Sequence, residues 1–380
     1  MYIILGVASL GWFSKYLEIT VITFVILFIY MLKEKQKVII PKNKNFYIIT
    51  CFCIFYAIIS TINQNFSSVI GICPILAYYC GLIICNLCNG DENYISKCII
   101  GIAMGFFFHA MLNYTINIGN TNRNTIDFWT RNVASATLQG GLLTMILSMS
   151  FYNIFLTKPI WKKVLFIIPI FLSLCYITLI ATRTTIIIFI IVNIIEIIIY
   201  MILNRKTKKL FKILLIIAIF IIIVAYMYNN GTFRIDKLIS ETNLGIRLKQ
   251  NGLEKSDESR IESQMLGVIS IINNPFGTKE KIGNLRYAHN MWLDIGNDVG
   301  IIPLAFLLAY TINVIISLLK IMTNKNISNN YKILLSSNYI GLLINFLVEP
   351  ILEGAPLYFI MFVIINAMID LQVVKIKNNS

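Results

Sequence analysis

Residues 184–203 read TTIIIFIIVNIIEIIIYMIL, an apolar run broken only by Asn193 and Glu196. A helix needs about 20 predominantly apolar residues to cross the hydrocarbon core of a bilayer, and this stretch supplies them. The pattern is not the stripe of a half-buried soluble helix, because apolar residues occupy every face. The chain repeats the pattern throughout. Twelve runs predict transmembrane helices at roughly 1–13, 17–32, 46–62, 68–86, 97–117, 133–156, 164–181, 184–203, 210–228, 298–319, 333–348 and 356–374. The first is short, and the seventh and eighth are separated only by Thr182–Arg183, so eleven spans also fit. Composition agrees: 57% of the 380 residues are hydrophobic, 13% are charged, and the mean hydropathy is +0.76. A soluble domain carries about 25% charged residues. The expected fold is therefore an all-α polytopic membrane protein, one membrane domain over residues 1–380.

The net charge of +14 would suggest nucleic-acid binding in a soluble protein. Here Lys gathers in alternate connections, as the positive-inside rule requires, and no nucleic-acid partner is expected. With both termini cytoplasmic, the inner connections (33–45, 87–97, 157–163, 204–212, 320–332 and 375–380) hold 19 of the 32 basic residues, and the short outer connections hold four. The N-terminal run lacks a basic leader and reads as a retained first helix. Arginine departs from this sorting. Only Arg205 is inside. Arg123, Arg131, Arg183, Arg234, Arg247, Arg260 and Arg286 fall outside. Topology does not distinguish Arg from Lys, but a guanidinium binds phosphate or carboxylate through a rigid planar fork. Seven on one side point to an anionic ligand there, against the alternative of scattered surface ion pairs.

Residues 229–291 form the one long hydrophilic stretch, a large extracytoplasmic loop. Inside it, Ser256 reads as an N-cap with Asp257 and Glu258 in the first turn, and Asn273-Asn274-Pro275 as the stop. Ile261, Leu266, Val268, Ile269 and Ile272 make an apolar stripe opposite Arg260, Ser263, Gln264 and Gly267. This short amphipathic helix should lie on the membrane surface, apolar face down. It would hold Arg260 toward a pocket or leave it paired with Glu262 or Asp257.

Two histidines occur. His289 stands where the loop meets the next helix, between Arg286 and Asp294, and suits general acid–base work near neutral pH. His109 lies inside a span and faces a helix partner by default. Asp294 is one turn beyond His289 and either orients the imidazole or serves as a helix N-terminal acid. Glu349 and Glu353 flank Pro350 and Gly354 in an outer turn, as a second base, as sugar-hydroxyl ligands or as an ordinary acidic turn. Cys85 and Cys88 form a CxxC without the other members of a four-ligand set and read as small buried hydrophobes. No metal or cofactor is expected.

Several of these residues together resemble the O-antigen ligase/polymerase-like family of bacterial surface-polysaccharide enzymes. They are Arg260, Asn274-Pro275-Phe276-Gly277, and His289-Asn290-Met291-Trp292-Leu293-Asp294 running to Gly300, with Ala181-Thr182-Arg183-Thr184 and the stretch from Arg123 to Gln139. The resemblance covers roughly residues 120–350. It implies an inverting, metal-independent glycosyltransferase of the bacterial cytoplasmic membrane. The donor would be an undecaprenyl-pyrophosphate-linked oligosaccharide, and a chain-length regulator a possible partner besides the lipid bilayer. On that implication His289 takes the proton of the acceptor hydroxyl, and Arg183 and Arg260 stabilise the leaving pyrophosphate. Arg123, Arg131, Arg286, Asn290, Asp294 and Glu349 would contact substrate. Repeat-unit polymerase is the first expectation and O-antigen ligase the second. A lipid-linked-saccharide flippase is the rival of another class. Such carriers place ionisable residues and broken helices at mid-membrane, where this sequence offers Glu196 and His109.

Overall fold

The computed structural model describes residues 1–36, 43–64, 66–120, 124–157, 160–205, 242–246, 254–278 and 287–379. The described residues are overwhelmingly helical. Nine helices among them are long and apolar enough to cross a membrane: α2 (Tyr16–Lys33), α3 (Lys44–Ile62), α4 (Ser68–Leu87), α5 (Glu92–Ile116), α8 (Ile160–Ile180), α9 (Arg183–Asn204), α12 (Ile301–Thr323), α13 (Asn329–Val348) and α15 (Pro356–Asn379). Their outer faces stay apolar, with Ile29, Ile58, Phe171 and Ile202 all exposed. Surfaces this apolar belong in lipid. The protein is an all-α polytopic membrane protein.

Two expected spans have no such helix among the described residues. The run 1–13 is instead a seven-residue helix, α1 (Tyr2–Ala8), followed by a left-handed turn at Gly11 (φ 68°). Gly6, Ser9 and Gly11 follow α5 past Gly101, Ile102 and His109. The run 133–156 breaks into α6 (Ala136–Gly141), α7 (Thr144–Ser148) and a π-helical turn at Tyr152–Leu156. Residues 210–228 lie outside the described residues, as do 229–241, 247–253 and 279–286 of the loop. A hairpin, β1 (Thr125–Ile126) antiparallel to β2 (Val133–Ala134), was not expected.

The chain divides into two compact units. The first comprises Met1–His109, Glu258–Tyr331 and Leu342–Ser380. Its helices approach closely where small residues permit it, as membrane helices do. A Cβ on Gly81 would stand 2.2 Å from Ile364 O, so α4 and α15 touch backbone to backbone there. Pro74 lies within α4 and leaves Ile70 O without its helical donor. Cys53 Sγ on α3 donates to that oxygen at 3.7 Å. At one end of this unit a buried carboxylate that the sequence analysis passed over, Asp370, accepts four hydrogen bonds. Asn45 Nδ2 reaches both oxygens at 2.9 and 2.8 Å, Tyr78 Oη one at 2.8 Å and Ser317 Oγ the other at 2.8 Å.

The second unit comprises Ala110–Asp257 and Lys332–Gly341. Asn113 and Asn117 at the end of α5 sew the hairpin to it: Phe128 N donates to Asn113 Oδ1 at 2.7 Å and Ile126 N to Asn117 Oδ1 at 2.9 Å. Asn193 repairs the broken span. Its Nδ2 donates to Leu147 O at 3.1 Å and its Oδ1 accepts from Phe151 N at 3.0 Å. Non-helical backbone at membrane depth is tolerated only with such repair.

Candidate functional site

The site of the first unit is built on α11 (Met291–Val299), which is fastened at both ends. Asn290 caps its start, its Oδ1 accepting from Trp292 N and Leu293 N at 3.1 and 3.2 Å. Its finish is held by the Asn274–Gly277 turn, which ends α10 (Glu254–Asn273). Ile301 N donates to Pro275 O at 2.8 Å, and Thr278 N to Asn297 O at 2.9 Å. Two glycines make this contact feasible. Both have φ 83°, a region nearly closed to other residues. A Cβ on Gly300 would lie 2.2 Å from Pro275 O, and one on Gly277 2.5 Å from Asp298 O. The motif glycines are thus positioning elements for the loop end.

His289 precedes the cap with φ 54°, a left-handed backbone that costs a side-chain-bearing residue energy and persists only when its surroundings impose it. Asp294 imposes it. The carboxylate is buried, 5% exposed, and reaches back past the cap. Oδ1 accepts from Ala288 N at 2.7 Å and Oδ2 from Asn290 N at 3.1 Å. Both open readings of Asp294 are thereby narrowed. It orients His289 through the backbone on either side and makes no hydrogen bond to the imidazole. Burial pushes its carboxyl up to about 7; the two amides pull it down, Glu353 pushes it further up, and His289 pulls it down. Asn290, expected to contact substrate, has its oxygen committed to the cap.

Across from the imidazole stands Glu349, 1% exposed, at the end of α13. Its Oε2 lies 3.9 Å from His289 Nδ1, beyond hydrogen-bond length, and both atoms are buried without a hydrogen-bond partner among the described residues. Its Oε1 lies 3.5 Å from Arg260 Nη2. Arg260 therefore pairs across the fold with Glu349; the side chain of Asp257 lies outside the described residues. Along the loop helix Ser263, Gly267 and Ile271, at four-residue spacing, face the protein, while Ile261, Met265, Val268 and Ile272 are exposed. Ser256 is inside α10 and not its cap, because the helix already runs from Glu254.

Arg123 and Arg286 lie outside the described residues. Arg131 and Arg183 belong to the second unit. Arg131 turns the hairpin at φ 60° and lays its guanidinium over Phe128 at 5.1 Å, which occupies one of its faces. Arg183 opens α9 after Thr182, beside the left-handed Ala181 (φ 53°). His109 faces the Gly11 turn, where a Cβ would meet its Nδ1 at 3.2 Å.

In the second unit Glu196 is 0% exposed. Its polar neighbours are the Ser337 hydroxyl and the Phe151 amide. Both donate elsewhere, Ser337 Oγ to Leu334 O at 2.9 Å and Phe151 N to Asn193 Oδ1. Neither oxygen of Glu196 has a hydrogen-bond partner among the described residues.

Fold and site together define a multi-pass membrane protein with a loop-borne histidine, carboxylate and arginine cluster. No protein-family model matches the chain, and no curated protein matches it.

Proposed function

We propose that the protein is a membrane glycosyltransferase of the bacterial cytoplasmic membrane that polymerises polysaccharide repeat units. It draws glycan from an undecaprenyl-pyrophosphate donor at the outer face. One observation carries the reading: the half-buried His289 and the buried Glu349 face each other, Nδ1 and Oε2 without a hydrogen-bond partner among the described residues, and Arg260 stands on the far side of the carboxylate. The resemblance of the surrounding motif supplies the substrate class.

The acceptor hydroxyl attacks the anomeric carbon of the donor glycan. The carbon–oxygen bond to pyrophosphate breaks, and the electron pair leaves with the lipid pyrophosphate. The hydroxyl proton passes to the imidazole through Nε2. Glu349, closing from 3.9 Å, then stabilises the imidazolium through Nδ1. Arg260 pairs with Glu349 and sets its positive charge beside the anionic leaving group.

A gel of surface polysaccharide from a deletion strain, complemented with wild type or with His289→Ala, tests this. The expected outcome is a ladder with wild type and single repeat units with His289→Ala at equal membrane abundance. Polymer that forms but stays on its carrier lipid makes the protein a ligase. The transport reading draws on Glu196, an unpartnered acid beside a broken membrane segment. A full ladder from His289→Ala and none from Glu196→Gln would move the conclusion there.

A further inference from the structure

A cavity of about 390 Å³ lies within the first unit, lined by residues close in sequence to His289 and Glu349. Its size falls in the range of small-molecule sites, about 300–1,000 Å³. The two chain segments that carry the pair also wall the cavity. Tyr287 precedes His289 by two residues, and Glu353 follows Glu349 by four. Tyr16, Tyr56, Ser67 and Asp298 complete the polar lining. Among the described lining residues there is no lysine, arginine or histidine.

We propose that this cavity is the acceptor subsite and that it takes an uncharged sugar while rejecting acidic ones. The inference rests on the glycosyltransferase reading above. Three tyrosines offer flat apolar faces with hydroxyl tips. The carboxylate oxygens of Asp298 and Glu353 are hydrogen-bond acceptors, so they match the hydroxyl donors of a sugar ring. The same two carboxylates repel a uronate, with no cation among the described lining residues to offset them. Glu353 already acts electrostatically on Asp294, which places its charge within reach of the His289 loop. The division of labour is then spatial: arginine on the side of the anionic donor, carboxylates and tyrosines on the side of the acceptor.

The test is saturation-transfer NMR on the full chain in lipid nanodiscs, with methyl N-acetyl-β-glucosaminide and methyl β-glucuronide as probes. The neutral glycoside should bind, and the glucuronide at least tenfold more weakly. Tyr287→Ala should lose the neutral signal. The double variant Asp298→Asn, Glu353→Gln should bring the two probes to within about threefold, a gain that misfolding does not produce. Equal binding of both probes to wild type, binding of neither, or undiminished discrimination in the double variant overturns the inference. His289→Ala should bind the neutral probe as wild type does. If binding follows these expectations but the His289→Ala strain still makes a ladder, the subsite stands and the catalytic reading falls. If His289→Ala abolishes the ladder while the cavity variants polymerise like wild type, the reverse holds.

Discussion

Asp370 and Glu349 are both buried carboxylates of the first unit, and they are treated oppositely. Asp370 accepts four hydrogen bonds from three side chains on three other helices, and both of its oxygens are engaged. Glu349 has one long contact to Arg260 and an oxygen without a partner, facing an imidazole nitrogen in the same condition. A satisfied network rigidifies; a half-satisfied one costs stability. The first is architecture. The second is retained at a cost that binding or chemistry must justify, which is the reason for placing function at the His289 end.

The sharpest way to break this contrast is to remove each acid. Asp370→Ala strands Asn45, Tyr78 and Ser317 in the interior, at about 1–3 kcal/mol for each unpaired donor. A large fall in apparent Tm and in monodisperse yield from detergent is expected. Glu349→Leu should lower stability by only about 1 kcal/mol, since the Arg260 and His289 side chains, each 27% exposed, can turn to solvent, yet abolish the ladder. If Glu349→Leu unfolds the protein and Asp370→Ala does not, the two roles are assigned the wrong way round.

Gly300→Ala sharpens the role of the loop anchor. A Cβ 2.2 Å from Pro275 O at φ 83° forces the turn and α11 apart, with backbone strain of about 1–3 kcal/mol. Polymer yield should fall tenfold or more, because α11 carries the register of His289. Protease nicking near residues 274–301 should rise, and an unchanged cleavage pattern with unchanged polymer would remove the anchor from the account.

The smallest expected effect is on pH dependence. The Asp294 carboxyl is raised from 3.8 to about 7, chiefly by burial. A raised folded pKa means that its contribution is fully present below about 3.8 and is lost as pH climbs through about 7. Wild-type Tm should therefore decline across that window, and Asp294→Asn should flatten this part of the curve. A slope that persists in Asp294→Asn would assign the titration to another group.

Much of this was legible without coordinates, and the reason is the solvent. A helix in hydrocarbon must be apolar all round and about 20 residues long, so the runs that became α2–α5, α8, α9, α12, α13 and α15 announced themselves one at a time. The run 133–156 misled because hydropathy records burial in lipid and not continuity of hydrogen bonding. Asn193, forty residues away, accommodates the break. Asp370 was passed over because one acid near the end of an apolar run looks like a solvated terminus. Only Asn45, Tyr78 and Ser317, each distant in sequence, make it a buried node.

The candidate site divides in the same way. His289 stood out as a rare titratable residue at a loop end, and Arg260 as a cation opposite an apolar stripe. The sequence by itself determined that this chain lives in a bilayer, that its polar chemistry is concentrated in one loop, and which residue types are present there. Those properties follow from composition and local periodicity. The tertiary structure alone decided that Glu349 is the partner of both His289 and Arg260, and that Asp294 grips the backbone instead of the imidazole. It also decided that Gly277 and Gly300 lock the loop to the helix. The Glu349 and glycine contacts join segments tens of residues apart, and the Asp294 grip, though local, depends on the left-handed backbone at His289; none leaves a periodic trace in the chain.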